Sequence, residues 1–250
     1  MDIRKLALAL AVAAPALSGG AALAADLSPS YVAPPPPAYT WTGLYAGLNG
    51  AYGWGSSGAT LVGPITGGGV SVTSLTGAVV GGTIGYNWQT NSKLVLGVEG
   101  DIDAGKIGGS SFLPLIPTAA GTTATMNLDW VATLRARIGW STNSFGGPTL
   151  WYITGGGAWA GASRYVQNFY NPGLHTSGSY FGWTVGAGVE HAIDKHWSVK
   201  LEYLYTDLGS SNHVGGYGGG PPPPALPTSI ETTRVSATAS LLRFGINYKF

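Results

Sequence analysis

Met126-Asn127-Leu128-Asp129-Trp130-Val131-Ala132-Thr133-Leu134-Arg135-Ala136-Arg137-Ile138-Gly139-Trp140 splits cleanly by parity. The even positions are Met, Leu, Trp, Ala, Leu, Ala, Ile and Trp, while the odd ones include Asn127, Asp129, Thr133, Arg135, Arg137 and Gly139. Successive side chains of a strand point to opposite faces, so the stretch predicts a strand with one apolar face and one polar face. Leu94, Leu96, Val98, Gly100 and Ile102 repeat the split against Lys93, Val95, Gly97, Glu99 and Asp101. Further strands are predicted at 43–54, 77–89, 149–161, 180–191, 197–207 and 235–250, which makes eight, an even number.

The gaps between these strands alternate in length. Those at 55–76, 103–125, 162–179 and 208–234 are long and rich in Gly, Ser, Thr and Pro, whereas 90–93, 141–148 and 192–196 are short. Long loops at one end and short turns at the other are the habit of bacterial outer-membrane barrels. The fold expected is therefore all-β: an eight-stranded antiparallel transmembrane up-and-down barrel over 41–250, with both termini on the periplasmic side. The rival is a soluble sandwich or lipocalin-like barrel, which would bury its apolar face and wet its charged one. Composition argues against it: Lys, Arg, Asp and Glu make up 9% of the 250 residues, where soluble domains carry about 25%.

Composition also closes other classes. The 41 glycines have no Gly-x-y period, which removes collagen. There is no cysteine, so disulfide scaffolds, thiolate metal sites and cysteine nucleophiles all go. Formal net charge is +1 without a basic stripe, which argues against nucleic acid as a partner.

The first residues read as an address. Arg4 and Lys5 precede the apolar run Leu6 to Ala14, and small residues follow at Ala22-Leu23-Ala24. This predicts a cleaved secretory signal peptide over 1–24, since Pro15 and Gly19-Gly20 interrupt a run already too short to span a membrane. Cleavage removes Asp2, Arg4 and Lys5 and leaves ten basic and ten acidic residues. Residues 25–40, with Pro29 and Pro34-Pro35-Pro36-Pro37, read as a Pro-rich periplasmic leader favouring an extended path.

Charges within strands are few and of both signs. Glu99, Asp101 and Asp129 could meet Arg135 and Arg137, with Glu190, Lys200, Glu202 and Arg243 completing an interior network in which each buried charge needs a partner. Aromatic residues gather towards strand ends: Tyr52, Trp54, Tyr86, Trp88, Trp140, Trp197, Tyr203 and Tyr205. They suit girdles at the two membrane–water boundaries.

Trp41-Thr42-Gly43-Leu44-Tyr45-Ala46-Gly47-Leu48-Asn49, Gly182-Trp183-Thr184-Val185-Gly186-Ala187-Gly188-Val189-Glu190 and the run Trp197 to Gly209 resemble the small opacity-like outer-membrane barrel family, also called outer membrane immunogenic or porin-family proteins. The chain's end, with Phe244, Ile246, Tyr248 and Phe250 alternating against Gly245, Asn247 and Lys249, resembles the terminal strand read by the barrel assembly machinery. The resemblance covers about 41–250. It implies a Gram-negative outer membrane, with outer-membrane lipid, the assembly machinery and periplasmic chaperones as partners. Eight strands enclose an interior that side chains can fill, so the word porin claims more than the fold supports.

No catalytic residue, cofactor or metal is expected. His191 and His196 flank a short turn, while His175 and His213 fall in predicted outer loops with no acid spaced to orient either ring. Glu99, Asp101 and Asp103 share a face that could offer oxygens to a cation, but that face also looks towards Arg135 and Arg137, and ion pairing is favoured. Gly81-Gly82-Thr83-Ile84-Gly85 has no following helix with which to hold a phosphate. Three functions stay open: a non-enzymatic envelope anchor, a narrow channel for small solutes or ions, and an adhesin or receptor acting through its loops.

Overall fold

The computed structural model describes residues 39–62, 69–90, 93–113, 122–168, 171–215 and 231–250. The predicted signal segment and leader up to residue 38 lie outside them. The described residues form eight strands: β1 (Gly43–Val62), β2 (Gly69–Gln89), β3 (Leu94–Leu113), β4 (Thr122–Ser144), β5 (Gly147–Asn168), β6 (Asn171–Ala192), β7 (Trp197–Gly215) and β8 (Glu231–Lys249). Each is antiparallel to its neighbours, and β8 pairs with β1 to close the barrel.

The register fixes the barrel's dimensions. From Tyr45, paired residues run through Gly85, Glu99, Arg135, Gly156, Thr184, Thr206 and Ala239 and return to β1 at Gly55, ten residues farther along. Eight strands with that stagger, at about 3.3 Å per residue and about 4.8 Å between strands, tilt by roughly 41° and enclose a backbone radius of about 8 Å. Each residue then climbs about 2.5 Å along the barrel axis.

On β4, Trp130 and Trp140 both face outward and stand ten residues apart, hence about 25 Å along the axis, the height of an outer-membrane apolar band. Tyr86, Trp88, Trp140 and Trp197 fall at the lower, periplasmic belt, with Trp151 and Tyr248 beside them. Tyr52, Trp54 and Tyr205 fall at or a few ångströms under the level of Trp130 in the upper belt, whereas Tyr203 lies about 10 Å below Trp130, near the middle of the band and outside the expected girdle, with its ring 6.2 Å from that of Trp54. Between the belts the outer wall is Leu48, Val80, Ile84, Ile102, Leu134, Ile153 and Phe244, all exposed.

The strands are longer than alternation predicts. Much of the Gly/Ser/Thr-rich sequence assigned to loops continues the ladder, so His175 stands on β6 and His213 on β7. Backbone pairing needs no apolar side chain, and these residues have no alternation to reveal it. The short turns are tight. Phe145 and Gly146 join β4 to β5 with φ of 56° and 82°, the two positive values of a type I′ hairpin, where Gly146 is at ease and Phe145 is held against Trp151 and His191.

One bulge corrects the sequence reading. Pairing between β4 and β5 slips between Leu128 and Trp130, leaving Asp129 as the extra residue. Parity therefore reverses there: Met126 and Leu128 turn inward and are buried, while Trp130, Leu134 and Ile138 keep the outward face. Asp129 is half-buried near the upper belt and is outside the interior ion pairs, contrary to the expectation above.

Candidate functional site: a sealed polar layer

Inward-facing side chains stack in three layers. At the periplasmic mouth, just ahead of β1, Trp41 is 2% exposed and packs with Val95, Leu150, Tyr152 and Ala192, with Tyr39 against them. Three strand ends hold this cover: Trp41 N–H donates to Gln89 Oε1 at 2.8 Å, its indole N–H to Ser141 Oγ at 3.0 Å, and Lys249 reaches the Thr40 carbonyl.

Above it lies the polar layer. Arg135 is the centre, fully buried, with Glu99 at 2.6 Å, Asp101 at 2.8 Å and Glu202 at 2.9 Å around one guanidinium. Its Nε donates to Thr133, whose hydroxyl donates to Asp101 at 2.7 Å. Arg137 bridges Glu99 and Glu190 while its guanidinium lies 4.0 Å from the Tyr152 ring centroid. Lys200 donates to Glu99 at 2.9 Å, and Arg243 reaches Asp101, Asp103 and Glu202. Hydroxyls and amides fill in: Tyr45 donates to Glu99, Tyr152 to Glu202, and Ser198 and Asn247 to Glu190.

Four cations thus face five carboxylates with almost no solvent, and every pair crosses between strands. That arrangement answers the cost of burying charge, which is several kcal/mol per ion unless geometry and added hydrogen bonds repay it. Arg is suited to the centre because its planar fork serves several carboxylates at once.

Large inward side chains are accommodated by glycines opposite them. A Cβ at Gly188 would stand 2.6 Å from the Tyr152 ring, and one at Gly53 would stand 2.5 Å from Ile107. Gly85 faces Tyr45, and Gly81 faces Asp103, in the same way.

Nearer the outer end, Leu75, Val79, Ile107, Leu128, Val131, Leu204, Leu208 and Leu241 meet in one apolar cluster with Ala158, Ala160 and Tyr180. The polar layer is therefore closed above and below by carbon.

Of the residues singled out in the sequence, Glu99, Asp101, Arg135, Arg137, Glu190, Lys200, Glu202 and Arg243 lie in this layer. Asp103, which the sequence set on one face with Glu99 and Asp101 and towards ion pairing, joins the layer through Arg243, and Tyr45, Tyr152 and Trp41 belong to the same interior without having been singled out for it. Asp103 sits two residues beyond Asp101 and shares its parity, which was signal enough. The tyrosines carry no such mark, since Tyr suits either face of a strand. Phe244, Ile246 and Tyr248 lie on the outer face of β8, and Phe250 follows it, its N–H donating to Leu44 O at 3.0 Å. Among the described residues no cluster of three His, Asp or Glu is arranged to hold a metal. His191 bonds Thr149, and His196 stacks on Tyr248.

A closed antiparallel barrel with an apolar outer band, two aromatic belts and a filled interior is the architecture of an integral outer-membrane protein. The comparisons agree. The chain belongs to the outer membrane protein beta-barrel domain family, whose model matches residues 6–250. It is 34% identical over 255 aligned positions to the 31 kDa outer-membrane immunogenic protein of Brucella melitensis, covering 94% of this chain and 96% of that one. It is 31% identical to the 22 kDa outer membrane protein of Rhizobium leguminosarum bv. viciae, over 72% and 71% of the two chains. Among solved structures, the outer membrane protein OprG from Pseudomonas aeruginosa aligns with a TM-score of 0.48 at 12% identity, covering 85% of this chain and 98% of that one. The chain is thus an outer-membrane β-barrel protein of the immunogenic group.

Proposed function

We propose that the protein is a non-enzymatic, non-conducting anchor that contributes to envelope integrity and holds its long outer segments at the cell surface. The observation that carries this reading is the three-layered interior. A narrow channel would need a continuous water path, and Leu75, Ile107, Leu128, Leu204, Leu208 and Leu241, each at most 2% exposed, occupy the outer half of that path. The inward charges are consumed by one another instead of lining a lumen. The description of the Brucella relative as immunogenic supports outer segments within reach of external macromolecules. The segments at 63–68, 114–121, 169–170 and 216–230 lie outside the described residues.

The test is conductance. Mature chain refolded into bilayers, and verified as a heat-modifiable band on gels, is expected to give no stable single-channel steps. Reproducible steps from that preparation would overturn the anchor and favour the channel.

A further inference from the structure

The lipid-facing wall is not uniformly bulky. Across β3 to β8 it dips into an open groove of ≈ 690 Å³ whose lining is almost wholly apolar. Trp140 and Trp151, directly paired between β4 and β5, stand at its foot; Ile153 and Val189 follow, and Tyr203 and Leu242 stand at its head. Its floor is Ala187, whose cross-strand partners are Ile153 and Tyr203. A methyl group there, between larger neighbours, is what makes the depression.

By the axial rise used above, the groove runs about 15 Å from the lower aromatic belt to just past the middle of the apolar band. That is about half of a hydrocarbon core roughly 30 Å thick, the depth of one leaflet. The foot lies at the periplasmic belt, where phospholipid headgroups sit and where indole N–H groups can meet them. The groove is also continuous with the lipid-contact band on both sides.

We propose that this groove seats one acyl chain of a periplasmic-leaflet phospholipid, held in register with the barrel while its headgroup rests at Trp140 and Trp151. The proposal rests on the membrane placement of the barrel, not on whether the barrel conducts. Lipid tails are as apolar as the wall, so the preference comes from packing: a chain lying in the depression touches more of the wall than one on the convex surface beside it. A second copy of the chain fits less well, because a convex barrel wall cannot descend to Ala187.

The mature chain is reconstituted in vesicles of phosphatidylethanolamine and phosphatidylglycerol at 3:1, extracted in mild detergent and weighed by native mass spectrometry. One retained phospholipid per barrel is expected. Ala187→Phe, which fills the floor, is expected to lose that adduct. Gly50→Phe, on the outward face of β1 where an added Cβ meets Val80 only at ordinary van der Waals distance, is expected to keep it. Heat-modifiable mobility certifies that each variant has folded, and Ala187→Ile replaces Ala187→Phe if the latter does not fold. The proposal is overturned if the native chain retains no phospholipid, if the filled variant retains as much as the native one, or if a two-barrel mass replaces the lipid adduct.

Discussion

Arg135→Met tests the polar layer most directly. Methionine keeps a long unbranched stem but removes the guanidinium that touches Glu99, Asp101 and Glu202. Each acid retains another partner: Lys200 and Arg137 for Glu99, Arg243 and Thr133 for Asp101, Tyr152 and Arg243 for Glu202. The layer nevertheless goes from four cations against five carboxylates to three against five, with no solvent at hand to absorb the difference. Removing one member of a buried pair costs about 3–5 kcal/mol. With a urea slope of about 2 kcal/mol per molar, the unfolding midpoint should fall by roughly 2 M.

The assay is urea unfolding in detergent micelles, followed by heat-modifiable mobility and tryptophan emission. Adding Glu202→Gln to Arg135→Met should recover about 1–3 kcal/mol of the loss, a coupling expected only of groups in contact. Arg135→Lys should fall between native and Met, because a point charge cannot serve three carboxylates as a fork does. A midpoint unmoved by Arg135→Met, or strictly additive effects in the double variant, would refute the claim that this layer organises the barrel.

Trp41→Ala removes the cover of the periplasmic mouth and should cost about 3–5 kcal/mol, measured by the same unfolding curves. Gly188→Val forces a side chain into the Tyr152 ring and should cost about 1–3 kcal/mol, whereas Gly50→Ala, whose added methyl meets its nearest neighbour at 3.9 Å, should leave the midpoint within experimental error. In the β6–β7 turn the Asp194 carboxylate accepts the N–H groups of His196 and Trp197 at 2.7 and 2.8 Å, which holds its pKa below the ordinary aspartate value. Its contribution is therefore present above the unfolded pKa of about 3.9 and is lost as pH falls through the lower folded value; an NMR titration placing Asp194 at or above 3.9 would contradict this.

The alternating stretches of β3 and β4 could be read from sequence because their outer face is continuously apolar and their inner face carries charge. What failed at Met126 and Leu128 failed for a local reason: one extra residue at Asp129 shifts parity without altering composition, and both faces hold an apolar residue on either side of it. The outer extensions were invisible because Gly, Ser and Thr on both faces leave no period to detect. Trp41 precedes the first strand and so has no parity, and its role comes from Gln89 and Ser141, residues distant in the chain. The groove was hidden for the same reason: it depends on which residues the stagger places beside Ala187.

The ion pairs also bear on the order of events during assembly. Arg243 lies on β8, yet two of the three acids it reaches, Asp101 and Asp103, are on β3, 142 and 140 residues earlier. They cannot meet until β8 has closed on β1, and until then a nascent sheet carries Asp101 and Asp103 without that partner. A half-made barrel therefore has unneutralised acid where the finished one has a dry core, and closure of β8 on β1 completes the neutralisation. Reversing that step means opening the seam and rehydrating nine charges together, which predicts a barrel whose lifetime is governed by a high barrier to unfolding as much as by its equilibrium stability.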